Sequence, residues 1–157
     1  MTDATFSARP RSGLPGFLTR LIVLFESMPY WFIALVTRLS IAGVFWRSGQ
    51  TKLEGWRVSE TAIDLFRDEY RLPLIDPAVA AHLAALCEHL FPALLVIGLA
   101  ARFSALALLI MTLVIQVFVY PDAWPTHGTW AACLLLMIAK GPGCVSLDRV
   151  IAPRFAR

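Results

Sequence analysis

The chain has 157 residues, of which 58% are hydrophobic and 16% are charged, whereas soluble domains are about 45–50% apolar and about 25% charged. This composition excludes an ordinary soluble domain, because a fold of this size has too little interior to bury so much apolar surface. The net charge of +3 does not indicate a nucleic-acid-binding protein, since the basic residues lie at the ends of apolar runs. The bilayer is therefore the first expected partner.

The N-terminal region divides into two parts. Residues 1–16 are polar and interrupted by proline and glycine, which predicts a flexible cytoplasmic tail with no cleaved signal peptide. Residues 17–28 are apolar but too short to span a bilayer, so they predict an amphipathic helix lying at the membrane interface.

Four apolar segments follow, at about 29–50, 77–100, 103–120 and 126–140. Between the first two, residues 51–75 are rich in charge, and apolar residues recur there at helical spacing, which predicts a short surface helix. Asp76 is a candidate N-cap, with Pro77 as the first helical residue of the second span. The predicted fold is an all-α, four-helix transmembrane bundle over residues 29–148, followed by a basic tail at 149–157.

The distribution of lysine and arginine predicts the orientation of this bundle. Four basic residues fall on the side of the surface helix, where acidic residues accompany them, and eight fall on the other side: Arg9, Arg11, Arg20, Arg102, Lys140, Arg149, Arg154 and Arg157. The side richer in basic residues is expected to be cytoplasmic. Both termini are then cytoplasmic, and the surface helix is periplasmic.

Glu88 is a carboxylate near the middle of the second span, where burying a charge costs roughly 2.5–3.5 kcal/mol on insertion scales. Arg38 lies within the first span, and counting residues from the two membrane faces places both side chains near the middle of the bilayer. The sequence therefore predicts a buried ion pair between Arg38 and Glu88. Such a pair would either pin two helices together or belong to a functional site.

Other polar residues fall nearer the predicted periplasmic side. His82, His89, Gln116 and His127, with Arg47 and Gln50, are candidates to line a pocket open to the periplasm. Histidine, arginine and glutamine supply hydrogen-bond donors for a quinone headgroup, although interfacial side chains of these types also simply meet water. The histidine spacing does not support haem or another metal site, and Cys87 and Cys133 lie in apolar surroundings that favour inert thiols. Ala42, Gly43 and Gly49 are small enough to allow close helix approach.

Three stretches resemble the DoxX family of bacterial inner-membrane proteins: RLSIAGVFWRSGQTKL (38–53), CEHLFPALLVIGLAAR (87–102) and HGTWAACLLLMIAKGPGCVSLD (127–148). The resemblance covers most of the chain, and its most specific part is the final Gly-Pro-Gly-x-x-Ser-Leu-Asp. The motifs direct attention to Arg38, Lys52, Glu88, His127 and Asp148. The sequence has His89 where the family often has leucine.

The resemblance implies a four-helix inner-membrane protein, in a family linked to sulfur and thiol redox chemistry with quinone as electron acceptor. It predicts a subunit of a quinone-linked or thiol-linked redox system that works with a protein partner or as a homo-oligomer. The alternative is a non-enzymatic anchor or accessory protein in a metal-stress or oxidative-stress system. Related vitamin K epoxide reductase-like bundles carry a CxxC motif, which this sequence lacks, so thiol–disulfide exchange by that route is not supported.

Overall fold

The computed structural model describes the backbone of residues 14–155 and the side chains of residues 16–151. The predicted flexible tail falls almost entirely outside the described residues. The helices are α1 (Leu14–Glu26), α2 (Tyr30–Gln50), α3 (Glu60–Leu65), α4 (Pro77–Ile97), α5 (Ala101–Val114), α6 (Trp124–Lys140) and α7 (Leu147–Phe155). Single turns of π-helix at Phe66–Tyr70 and Ile115–Val119 extend α3 and α5, and a 3₁₀ turn, Pro121–Ala123, precedes α6. By its backbone contacts, the chain up to Tyr30 forms a unit separate from residues 31–157.

Two helical segments, Pro77–Ile97 and Ala101–Val119, are each long and apolar enough to cross a membrane. A third span results if Gly16–Glu26 and Tyr30–Gln50 are counted together. α6 has 17 residues, fewer than the about 20 that a bilayer core requires. The predicted helical membrane protein is therefore confirmed in its broad class, with two to three candidate spans among the described residues.

Within residues 31–157, α5 packs closely against both α4 and α6. Its packing positions include Ala101, Ser104 and Ala105, which are fully buried and small enough to let the neighbouring helices approach. α2 joins this group by larger side chains, among them Phe45, whose ring centroid lies 5.6 Å from that of Trp130 on α6. We name the two ends of the group after their loops: the hairpin end, where α2 ends, and the Gly-Pro-Gly end, where α6 ends.

The segment at the hairpin end contains a strand pair that the all-α prediction missed. β1 (Leu53–Glu54) pairs antiparallel with β2 (Arg57–Val58), and Gly55 supplies the positive φ of the turn. Ser59 then caps α3 by accepting a hydrogen bond from the Ala62 backbone amide. The predicted surface helix therefore exists only as α3 and the π-turn that continues it.

The start of α4 packs against this segment. As predicted, Asp76 is its N-cap: the carboxylate accepts hydrogen bonds from the amides of Ala78 and Val79 at 3.0 and 3.2 Å. About one turn later, Ala80 and Ala81 pack against the buried Phe66. The first part of α4 thus covers the surface segment as well as the neighbouring helices.

At the Gly-Pro-Gly end, the turn between α4 and α5 is held by the last loop of the chain. Gly98 ends α4 with φ +70°, and a Cβ there would lie 2.6 Å from the Cβ of Ser146. Asp148 accepts hydrogen bonds from the amides of Ala100 and Ala101, at 2.7 and 2.9 Å, and its own amide donates to the Gly98 carbonyl. The final family motif therefore acts as a clamp on this turn.

We expect Gly98→Ala to lower the melting temperature of the purified protein in detergent. The substitution combines a left-handed backbone with a steric clash, and the left-handed conformation alone costs about 1 kcal/mol or more. Gly43→Ala is the matched control, because Gly43 lies in α2 with no atom within 4 Å of its would-be Cβ. An unchanged melting temperature for Gly98→Ala would show that the turn is not under this constraint.

Candidate functional site

A cavity of about 350 Å³ lies between α4, α5 and the surface segment at the hairpin end. Its walls are mainly apolar: Phe66, Leu72, Leu83, Phe91, Ile110, Met111, Val114 and Val119. Four polar side chains also reach it: Ser48, Lys52, Tyr70 and Glu88. The cavity thus combines an apolar interior with a small group of hydrogen-bonding and charged atoms, as small-molecule sites do.

Lys52 and Glu88 form a buried ion pair at this cavity. Lys52 Nζ lies 2.8 Å from Glu88 Oε2, and the two residues are 4% and 2% exposed. Ser48 Oγ donates to Glu88 Oε1 at 3.2 Å. The 2.8 Å contact is short enough for a charge-assisted hydrogen bond, and it neutralises the buried carboxylate.

The hairpin turns Lys52 inward. The Lys52 amide donates to the Gly49 carbonyl just beyond the last turn of α2, and its carbonyl accepts from the Ser59 amide across the strand pair. With its backbone held on both sides, Lys52 extends its side chain back along α2 to Ser48 and Glu88. Lys52, which lies just beyond the end of α2, thereby neutralises the Glu88 carboxylate of α4.

The predicted ion pair between Arg38 and Glu88 is wrong. Arg38 is buried at the Gly-Pro-Gly end and donates hydrogen bonds of 2.6 to 3.0 Å to four backbone carbonyls, those of Leu95, Val96, Pro142 and Val145. Two of these carbonyls lie in the last turn of α4, where carbonyls lack helical donors and a cation is favoured. Arg38 thus joins the end of α4 to the Gly-Pro-Gly loop.

The error came from the register of the two helices. Ser48 of α2 is level with Glu88, whereas Arg38, ten residues earlier, is level with Leu95. At 1.5 Å per residue, Arg38 and Glu88 are offset by about 10–15 Å along the helix axes. The prediction counted residues along each span from its end and therefore assumed that both helices begin at a membrane face. The first turns of α4 pack on the surface segment instead, which shifts Glu88 towards the hairpin end.

His89 faces α2 next to this pair. Its Nδ1 donates to the Ala85 carbonyl at 2.6 Å, which leaves Nε2 to accept from Gln50 Nε2 at 2.8 Å. A Cβ on Gly49 would lie 2.6 Å from the His89 ring, so the predicted close approach at Gly49 is confirmed. The same prediction for Gly43 is wrong, because among the described residues no atom from another part of the chain lies within 4 Å of its Cβ position.

The other predicted pocket residues lie elsewhere. Gln116 accepts from His127 Nδ1 at 2.7 Å and donates to the Pro121 carbonyl, so this pair ties α6 to the end of α5. His82 is exposed, and its Nδ1 donates to the Ala78 carbonyl of its own helix. None of His82, His89, Gln116 and His127 lines the cavity that contains Glu88.

Tyr70 lies at the edge of the cavity in the surface segment. Burial raises the pKa of its phenol, and its ring packs edge-on against Tyr120 at 5.9 Å. The Tyr120 hydroxyl donates to Glu69, and this hydrogen bond connects the surface segment to the end of α5. Sequence analysis missed Tyr70, which had no signal beyond its place in a charged segment.

Within residues 14–155, no group of three or more His, Cys, Asp and Glu side chains could hold a metal ion. Cys87 lines the cavity and is partly buried, Cys133 is partly buried, and Cys144 is exposed in the Gly-Pro-Gly loop. Each of these thiols is unpaired.

Lys52 and Glu88 both lie within the part of the chain that matches a known protein family. The family model for DoxX matches residues 33–121, more than half of the chain. The chain belongs to the DoxX family. This DoxX chain is also 31% identical over 127 residues to a protein of Haemophilus influenzae described as an uncharacterized protein, an alignment that covers 74% of this chain and 82% of the relative. No solved structure gives a significant match.

We expect Lys52→Met to destabilise the protein strongly, because it leaves Glu88 buried without its cation, a change that typically costs about 3–5 kcal/mol. The double variant Lys52→Met/Glu88→Leu should recover most of this loss, since it removes both charges. Thermal unfolding in detergent measures both effects.

Arg67→Gln is the control for this pair, because Arg67 forms an ion pair with Asp64 that is more than half exposed. Its effect should be small. Equal melting temperatures for the Lys52 variant and this control would contradict the importance of the buried pair.

Proposed function

We propose that the Glu88 cavity binds the headgroup of a membrane quinone, and that the protein is a subunit of a membrane redox system. The observation that carries this proposal is a largely apolar cavity with a buried Lys52–Glu88 pair at its polar part. Quinone carbonyls accept hydrogen bonds, and Lys52 and Tyr70 are donors at the cavity. Its volume is at the lower end of the about 300–1,000 Å³ typical of small-molecule sites.

The residues would have different roles in such a site. Lys52 would direct its ammonium at a carbonyl oxygen, and the phenol of Tyr70 would donate from the side of the surface segment. Glu88 would keep Lys52 charged and in place, and its buried carboxylate could hold or release a proton near the reduced quinone. Electrons would come from a protein partner linked to sulfur or thiol oxidation, as the family relationship suggests. His82, His89, Gln116 and His127 have no direct part in this proposal.

Tyr70→Phe should weaken binding of a short-chain ubiquinone analogue by about two- to tenfold, the usual worth of one neutral hydrogen bond. Binding can be followed by quenching of tryptophan fluorescence in detergent or nanodiscs. Tyr120→Phe is the comparison variant: its phenol contacts Tyr70 but does not line the cavity, so it should weaken binding less than Tyr70→Phe does.

Equal affinities for the two tyrosine variants, or no binding by the wild type, would contradict the quinone site. If the wild type also carries no quinone after purification yet retains a protein partner, the non-enzymatic anchor or accessory function is favoured instead.

We also propose that the chain lies in the bacterial inner membrane with the Gly-Pro-Gly end at the cytoplasm and the hairpin end at the periplasm. The distribution of lysine and arginine along the sequence supports this orientation. Cys144 and Trp56 are suitable probes, because Cys144 is exposed in the Gly-Pro-Gly loop and Trp56 is fully exposed at the hairpin.

In a variant with Cys87 and Cys133 replaced by serine, a membrane-impermeant maleimide should label Cys144 in inverted membrane vesicles but not in intact spheroplasts. Adding Trp56→Cys and replacing Cys144 by serine should reverse this pattern. The three predicted spans between Trp56 and Cys144 place the two positions on opposite sides of the membrane. Labelling of both probes from the same side would contradict this placement, and the reverse pattern would show that the proposed orientation is inverted.

A further inference from the structure

A second, larger space lies on the outside of the helix group. It is a groove of about 940 Å³ between α2 and α4. Exposed residues form most of its walls, including Leu39, Gly43, Trp46, Ala93, Val96 and Ile97. The groove exists because Gly43 has no side chain and nothing else lies within 4 Å of its Cβ position. It follows α2 from Leu39 to Arg47, about 12 Å at 1.5 Å per residue.

This groove is separate from the Glu88 cavity. The cavity is lined on α4 by Leu83, Cys87 and Phe91, whereas the groove is lined by Ala93, Val96 and Ile97. At 100° per residue these sets fall on opposite faces of α4. Occupation of one space therefore does not require occupation of the other.

Arg47 supplies the charge at one end of the groove. It is exposed in the last turn of α2, beside the interfacial ring of Trp46. Within residues 16–151, no carboxylate forms an ion pair with it and no acceptor receives a hydrogen bond from it. Lys52, five residues later, is buried against Glu88. Of these two cations, Arg47 is thus the one whose charge is available to a ligand.

We propose that this groove binds an anionic phospholipid, with an acyl chain along α2 and α4 and the phosphate at Arg47. A guanidinium near the end of a spanning helix can reach the headgroup layer and bind phosphate in a bidentate manner. The walls match an acyl chain because the lining residues are mainly apolar, with Ser40 as a small polar side chain and Arg47 as the charged one. Charge complementarity therefore favours an anionic lipid over a zwitterionic one.

Native mass spectrometry of protein taken from nanodiscs with equal phosphatidylglycerol and phosphatidylcholine tests the proposal. The wild type should retain phosphatidylglycerol several-fold more than phosphatidylcholine. Arg47→Gln should abolish this preference while some lipid remains bound. Gly43→Leu should fill the groove without a clash and reduce retention of both lipids. Arg67→Gln, which removes an exposed cation at the surface segment, should behave as wild type.

Several results would overturn the proposal. Equal retention of the two lipids by the wild type, or an unchanged preference in Arg47→Gln, would remove the role of Arg47. Conversion of a dimer to a monomer by Gly43→Leu would make the groove an interface between copies of this chain. Quinone titration of the same variants separates the two proposals, because Arg47→Gln and Gly43→Leu leave the Glu88 cavity intact.

Discussion

The buried Lys52–Glu88 pair is the constraint on which the hairpin end depends. A carboxylate inside a membrane helix requires a cation, and the nearest one lies outside the helix in sequence. To bring it there, the chain must turn back directly after α2, and the two short strands fix that turn. The pair therefore specifies the path of the surface segment, and with it one wall of the cavity.

The two buried cations show why lysine and arginine are not interchangeable in this protein. Lys52 is a compact charge that is satisfied by one carboxylate, one hydroxyl and one backbone carbonyl. Arg38 has a planar fork of five donors, and the structure gives it four carbonyls from two segments. The sequence indicated that both an acid and a guanidinium must be satisfied inside the membrane. It did not indicate that the guanidinium could be satisfied entirely by backbone.

Local patterns in the sequence predicted the start of α4 and the end of α6. The Asp76–Pro77 start needs only neighbouring residues, and so does the termination of α6 at Gly141. The strand pair at Leu53–Val58 was missed because two-residue strands have no alternation long enough to recognise.

The Arg38–Glu88 pair was predicted wrongly for a different reason. Helix register depends on how far α4 extends past the other helices, and this follows from contacts of Ala80 and Ala81 with Phe66.

The position of α4 also explains how one small protein can offer two unlike spaces. Its inner face carries Glu88 and meets α5 and the surface segment, so the space there is enclosed and has a polar part. The face of α4 that carries Ala93, Val96 and Ile97 borders α2 across the open groove beside Gly43, whose walls are mainly apolar apart from Ser40 and Arg47. Pro92 lies between the two faces and is buried; because it has no amide hydrogen, the Glu88 carbonyl has no helical donor at that turn. Glu88 therefore contributes two polar groups at the same turn of α4, its charged side chain and its own backbone carbonyl.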